Sequence, residues 1–212
     1  MRRAIVKLGG STAGEPVFDK WIAALAGSGL PLVIVPGGGP FANQVRDAQK
    51  SIGFSDTAAH AMAILAMDQF GYIILDRDDR LVPARSLEEI ERALADRKIP
   101  VWLPSSLAIP APDIPASWDV TSDALAAWLA GRLGADALLL IKQTKVFSST
   151  EDVVSLKARG IVDAALEAML PPDIELHLAG PPDVTTAPSL LASGKLPGKR
   201  MARSRKPARR TG

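Results

Sequence analysis

No cysteine occurs in the 212 residues, which excludes thiolate nucleophiles, cysteine-held zinc and iron–sulfur clusters. Histidine is nearly as scarce. With only His60 and His177, a histidine-rich metal site is not available, and no metal ligands are expected from the protein. Long apolar runs are missing too: none approaches the roughly 18 residues a membrane span needs, and the N-terminal AIV is cut short by Lys7. Neither a transmembrane helix nor a signal peptide is expected, and the chain reads as cytoplasmic. Acid is absent from residues 200–212, where Arg200, Arg203, Arg205, Lys206, Arg209 and Arg210 stand. The formal net charge is +2, so without these six cations the body carries about −4. The high pI of 9.0 therefore belongs to a basic tail and not to a nucleic-acid groove, and neither nucleic acid nor membrane is an expected partner.

What is present is a globular composition, 47% hydrophobic and 23% charged, which rules out disorder or a collagen-like repeat for the bulk of the chain. Short β-branched runs alternate with longer helical stretches, the pattern of an α/β fold with a largely parallel central sheet. Strands are expected at 4–8, 31–36, 100–104, 137–142 and 174–178. Helices are expected near 17–27, 40–51, 57–70, 87–97, 121–133 and 160–170. The proline-rich stretch 107–117 reads as a connecting loop, and Ser148–Ser149–Thr150 as the start of a loop over the sheet's edge. One domain through residue 198 and a disordered basic tail over 199–212 are expected.

Four segments have residues suited to chemistry. KLGGS ends the first strand: Gly9 and Gly10 let backbone N–H groups approach an anion, and Lys7 adds a positive charge, although a strand followed by Gly-Gly also serves as a plain turn. VPGGGPFANQVR ends the second strand, with Gly37, Gly38 and Gly39 before Pro40 at the start of a helix, where backbone donors can hold an anion. In a parallel sheet both turns open on one edge, where α/β proteins bind ligands. Neither matches GxGxxG or GxxxxGK[ST], which argues against a dinucleotide fold and a Walker loop. Arg46, further along that helix, reads as a solvated residue.

The third segment, WDVTSDALAAWLAGRLGADALLLIKQTKV, is a polar turn, a helix, a strand and a second polar loop. Thr121 or Ser122 can cap the helix, leaving Asp123 in its first turn, where simple macrodipole complementarity would account for it equally. Asp119 lies in the turn, and Lys142, Thr144 and Lys145 follow the strand on the edge shared by the glycine turns. The fourth segment, SDTAAHAMAILAMDQFGY, is apolar nearly all round, so its helix is buried or forms a subunit interface. His60 on it is either a hydrogen-bonded core residue or a substrate contact.

Together, KLGGS, PGGGP and the aspartate-containing turn before a helix ending in GAD resemble the amino acid kinase family, over residue 4 to about 170. The fourth segment and the short length resemble, within it, the [5-(aminomethyl)furan-3-yl]methyl phosphate kinase branch, which acts in making methanofuran-type cofactors. The resemblance implies a three-layer sandwich around a largely parallel sheet, ATP with Mg²⁺, and transfer of the γ-phosphoryl to a small phosphate monoester to give a diphosphate. It also leaves open another phosphate or a carboxylate as acceptor, or a non-catalytic binder of nucleotide or oxyanion. It implies that Lys7 contacts the transferred phosphoryl, that Gly9, Gly10 and Ser11 cradle the ATP phosphates, and that Gly37, Gly38 and Gly39 face the acceptor. Asp123 would orient the phosphate-binding lysine, Asp119 and His60 would lie on the substrate side, and Lys142, Thr144 and Lys145 would form the nucleotide-side loop. Homo-oligomers are implied, with the 57–70 helix contributing. The chain departs from the family's pattern where many relatives carry a second lysine before the late helix: KARGIVDAAL has Gly160 or Ile161 there. The later Gly-Thr turn is also indistinct in SGKLPGKR.

Overall fold

A computed structural model describes residues 3–144, 146–148 and 150–202. Seven strands form one sheet in the order β3-β4-β2-β1-β5-β6-β7. They are β1 (Ala4–Leu8), β2 (Leu32–Pro36), β3 (Leu81–Ala84), β4 (Ile99–Trp102), β5 (Ala137–Ile141), β6 (Glu175–Ala179) and β7 (Lys199–Arg200). Every described pairing is parallel except that of β6 with β7. The helices are α1 (Val17–Ala26), α2 (Gly39–Ile52), α3 (Asp56–Leu75), α4 (Leu87–Ala95), α5 (Ser105–Ala108), α6 (Ser122–Arg132), α7 (Val153–Ala158), α8 (Leu166–Met169) and α9 (Ala187–Ala192).

The central strands are buried throughout and, Lys7 apart, apolar, because both faces of the sheet are covered. Alternate residues enter different layers. Ile5, Val33, Val35, Leu138 and Leu140 pack with α4, α6 and α8 on one face. Ala4, Val6, Leu8, Ile34 and Leu139 pack with α1 and α9 on the other. Helix α3 serves both cores, sending Ile64 and Met67 into the first and Phe70 and Ile74 into the second. The result is the expected three-layer α/β sandwich. From β1 the chain moves outward through β2 and later returns to place β5 on β1's other side, so strand order reverses around β1. At such a switch point the carboxyl ends of the strands leave a crevice.

Several local expectations need correction. Helix α3 runs through Leu75 and is long and apolar enough, by length and composition, to cross a membrane; here nearly half of it is buried against the fold. The helix expected over 160–170 shrinks to α8, because Gly160 takes a left-handed φ of 65° and Asp163 is drawn away to another partner described below. Helix α7 falls where a loop was expected, capped by the Asp152 carboxylate accepting from Ser155 N at 2.9 Å. The two outer strands β3 and β7 were not expected. Strand β7 carries the fold past the expected boundary at 198: Lys199 and Arg200 pair with β6, and Met201 is buried, its N–H donating to Leu176 O at 2.8 Å. The rest of the expected tail, 203–212, lies outside the described residues.

If the segment after Gly198 belongs to the fold, Met201→Ala lowers the free energy of unfolding by about 2–5 kcal/mol, the range for truncating a buried methionine. Urea unfolding measures this, and an unchanged midpoint would detach β7 from the core.

Candidate active site

The two glycine turns meet backbone to backbone. A Cβ on Gly10 would lie 2.2 Å from Gly39 N, and one on Gly37 would lie 2.3 Å from Gly10 N. No side chain fits at either position, so the contact requires glycine on both sides. Gly37 N–H donates to Leu8 O at 2.9 Å, tying the second turn to the end of β1. Gly39 has a φ of +57°, in the left-handed region, and opens α2 with Pro40 in its first turn. The first turn tightens into a short 3-10 segment, Gly10–Thr12, held by Thr12 Oγ1 donating to Gly9 O at 2.6 Å.

Strand parity decides what stands beside the turns. Ile5 faces α6, so Lys7, two residues on, faces it too. Leu138 and Leu140 face the same layer, which sends Lys142 there as well, with its backbone N–H extending the ladder to Ala179 O at 2.8 Å. Both lysines converge on Asp123 in the first turn of α6. Lys7 Nζ lies 2.9 Å from Oδ1, and Lys142 Nζ donates to Oδ2. The carboxylate is 1% exposed. Burial alone would raise its pKa, but the Lys142 and Lys7 ammonium groups hold it down at about 2. Burial pushes the Lys142 ammonium below its ordinary value, with Asp123 opposing that shift. Two lysines thus share one carboxylate beside the glycine turns, and Lys7 Nζ is within 3.4 Å of where a Gly9 Cβ would sit, so a cationic group borders the first turn.

Sequence reading overlooked Asp163. Thr121, the N-cap of α6, makes no side-chain cap; Asp163 supplies it from 40 residues away. Its carboxylate accepts from Thr121 N at 3.1 Å, Asp123 N at 3.0 Å and Ala124 N at 3.0 Å, and from Thr121 Oγ1 at 2.6 Å. Burial and the nearby Asp123 charge push its pKa up. Asp163 thus fixes the start of the helix that carries Asp123. A lone acid between Val162 and Ala164 in an apolar segment was the available signal.

A cavity of about 430 Å³ opens beside the turns, within the range of small-molecule sites. Gly10 and Ser11 line it from one turn and Gly38 and Gly39 from the other. Helix α3 contributes His60, and Trp118 forms another wall. Gln49 joins α2 to both neighbours: its Oε1 accepts from Trp118 Nε1 at 2.8 Å while its Nε2 donates to Asp56 Oδ1 at 2.8 Å. Arg46, expected to be merely solvated, lines the cavity and lies over the Trp118 ring, 4.5 Å from its centroid.

The remaining expected residues separate. Asp119 is exposed and is not among the residues that line the cavity; its backbone N–H donates to Ser117 Oγ at 2.9 Å. Thr144 stays beyond β5, its hydroxyl accepting from Val146 N at 3.2 Å. Lys145 falls outside the described residues. Among the described residues no group of three or more histidine, aspartate or glutamate side chains is arranged to hold a metal.

A covered, largely parallel sheet with glycine turns at its switch point and two lysines on one buried carboxylate has the layout of a phosphate-handling α/β protein. The sequence profile of the amino acid kinase family matches residues 2–158. The chain belongs to the amino acid kinase family. It is 31% identical over 127 residues to [5-(aminomethyl)furan-3-yl]methyl phosphate kinase of Methanocaldococcus jannaschii, a match spanning 59% of this chain and 58% of that protein. Among solved structures, uridylate kinase from Archaeoglobus fulgidus superposes with a TM-score of 0.67 at 17% identity, covering 95% of this chain and 100% of that one. UMP kinase from Ureaplasma parvum superposes with a TM-score of 0.67 at 13% identity, covering 96% of each. At these identities the likeness to the two solved structures is one of fold.

The Asp123 carboxyl titrates lower in the folded chain, about 2, than its ordinary 3.8. Between those values the folded state binds fewer protons, so this group's stabilisation is complete above about pH 4 and drains as pH falls toward 2. Urea unfolding between pH 5 and 2 should show that loss, and Asp123→Asn should lack the increment. Asp163→Ala, which strands the N–H groups of α6, should cost about 1–3 kcal/mol in the same assay at neutral pH.

Proposed function

We propose that the chain transfers the γ-phosphoryl group of ATP to a small phosphate monoester, giving a diphosphate and ADP. The observation that carries this reading is the convergence of Lys7 and Lys142 on Asp123 beside two glycine turns in mutual contact. Phosphoryl transfer asks little covalent chemistry of a protein; alignment and neutralisation of the moving charge supply most of the acceleration. An oxygen of the acceptor phosphate attacks the γ-phosphorus, and the bond to the bridging oxygen breaks, its electron pair leaving with ADP. A phosphate acceptor is already an anion, so no general base is needed, in keeping with two histidines in the whole chain.

Lys7 and Lys142 would balance the charge on the moving group, Asp123 holding their ammonium groups in place. Gly9, Gly10 and Ser11 would bind the ATP phosphates, and Gly37, Gly38 and Gly39 the acceptor's. Lys142 is then the second cation that many relatives carry later in the chain, where this one has Gly160 or Ile161. The donor set fits a Mg²⁺ that arrives on the nucleotide: the oxygens of Asp123 face lysines, and those of Asp163 face the Thr121 hydroxyl and backbone N–H donors. Mg²⁺ so bound would offset negative charge on the ATP phosphates. The relative from Methanocaldococcus jannaschii makes [5-(aminomethyl)furan-3-yl]methyl phosphate the first acceptor to test. Homo-oligomers, implied by the family, would use the face of α3 that exposes Met62, Leu65 and Tyr72.

ADP release measured across phosphate monoesters, UMP included, tests the reading. Lys7→Ala and Lys142→Ala should each lower turnover by about 10²–10³, the scale for losing one stabiliser of transition-state charge. Unchanged turnover in Lys142→Ala would place the second cation elsewhere. Tight ATP binding with no phosphorylated product from any acceptor would leave a binding protein.

A further inference from the structure

Among the described residues with a buried polar side-chain atom that lacks a partner, His60 is the one that lines the cavity, and the atom is its Nε2. The residue is 7% exposed. Its other ring nitrogen, Nδ1, lies 3.2 Å from the carbonyl oxygen of Ser117. A carbonyl can only accept, so Nδ1 carries the hydrogen, and in the neutral ring Nε2 is left as an acceptor. Burial holds the ring's pKa below its ordinary value, outweighing the Ser117 contact, so the neutral form prevails near pH 7.

The rest of the wall says what kind of group would meet that acceptor. No aspartate or glutamate lines the cavity, and its charged side chain is the cation Arg46. The glycine turns and Arg46 suit a phosphate, while Ala63, Ile64, Met67 and Leu125 suit an apolar ring. Nothing there balances a second positive charge on the ligand.

We infer that His60 Nε2 accepts a hydrogen bond from an N–H or O–H on the organic part of the acceptor, and that the site selects acceptors by this donor and not by positive charge. The inference rests on the proposed phosphate-monoester reading and specifies the acceptor that reading leaves open. His60 is thereby a specificity-determining residue, and the Ser117 carbonyl positions it by fixing the tautomer.

Three phosphates of one shape test it: [5-(aminomethyl)furan-3-yl]methyl phosphate, its hydroxymethyl counterpart and its ethyl counterpart. The wild-type chain should use the first two with kcat/KM values within about fivefold of each other and the ethyl compound about 10- to 100-fold less well, as expected when a buried acceptor is left unpaired. In His60→Leu the gap should close to within about threefold, because removing both polar partners together is nearly neutral. Equal use of the ethyl compound by the wild type, or a gap that persists in His60→Leu, overturns the inference. A large preference for aminomethyl over hydroxymethyl overturns its second half. As a measurement that needs no variant, the ¹⁵N resonance of His60 Nε2 in the wild type should move upfield on adding the hydroxymethyl compound and not the ethyl one; equal responses to both count against it. A selective shift with no ADP release from any of the three would sink the kinase reading and leave the contact standing. ADP release with no discrimination would do the reverse.

Discussion

A carboxylate shut away from water holds two ammonium groups at the end of a parallel sheet, and the site is organised around that pairing. Asp123 is tolerable in its position only because Lys7 and Lys142 face it, and each lysine is tolerable there only because Asp123 does. Replacing such a triad with apolar residues would commonly leave a fold as stable or more so. What the polar version provides is an imposed geometry: two side chains from adjacent strands are fixed relative to each other before any ligand arrives. Asp163 extends this order to the backbone, since the N–H groups of the helix that presents Asp123 are themselves bound to a second carboxylate.

The glycine turns impose a complementary constraint. Their backbones are too close for any Cβ at Gly10 or Gly37, so the loop after β1 and the loop after β2 behave as one surface. Donors from both can then face neighbouring anions without side chains between them. Holding two phosphate groups close together demands this, because their mutual repulsion has to be offset locally. The cavity beside this surface is walled by α3, α6 and the Trp118 loop, and Gln49 on α2 fastens two of those parts, α3 and the Trp118 loop, with one amide group.

Much of this was legible in the residues because it follows from periodicity. The short, mostly apolar runs AIVKL, LVIVP and ALLLI mark buried strands, and counting by twos from Ile5 and Leu140 puts Lys7 and Lys142 on one face. Two glycine turns at the same sheet edge follow from parallel strands. What escaped was long-range or marginal. That Asp163 caps a helix begun 40 residues earlier depends on a contact no local pattern encodes. Its segment was read as helical because apolar residues surround it, and tertiary hydrogen bonding overrode that preference. Strand β3 contains Pro83 and is short, and β7 is two basic residues, so neither shows the signature of a strand. The resemblance to the family implies a substrate-side place for Asp119, yet the residue is exposed and is not among those that line the cavity.

Those two unassuming outer strands have a bearing on the molecule's behaviour in a crowded solution. An open sheet ends in unpaired N–H and C=O groups that invite another chain to join. Here one margin ends in a proline-bearing strand, which presents one fewer donor at Pro83. The opposite margin ends in an antiparallel pair of charged residues, one of them, Arg200, held 3.1 Å from Glu175 on its neighbour. Growth by edge-to-edge stacking is thus discouraged at both ends, which keeps a sheet with so apolar an interior from templating its own aggregation.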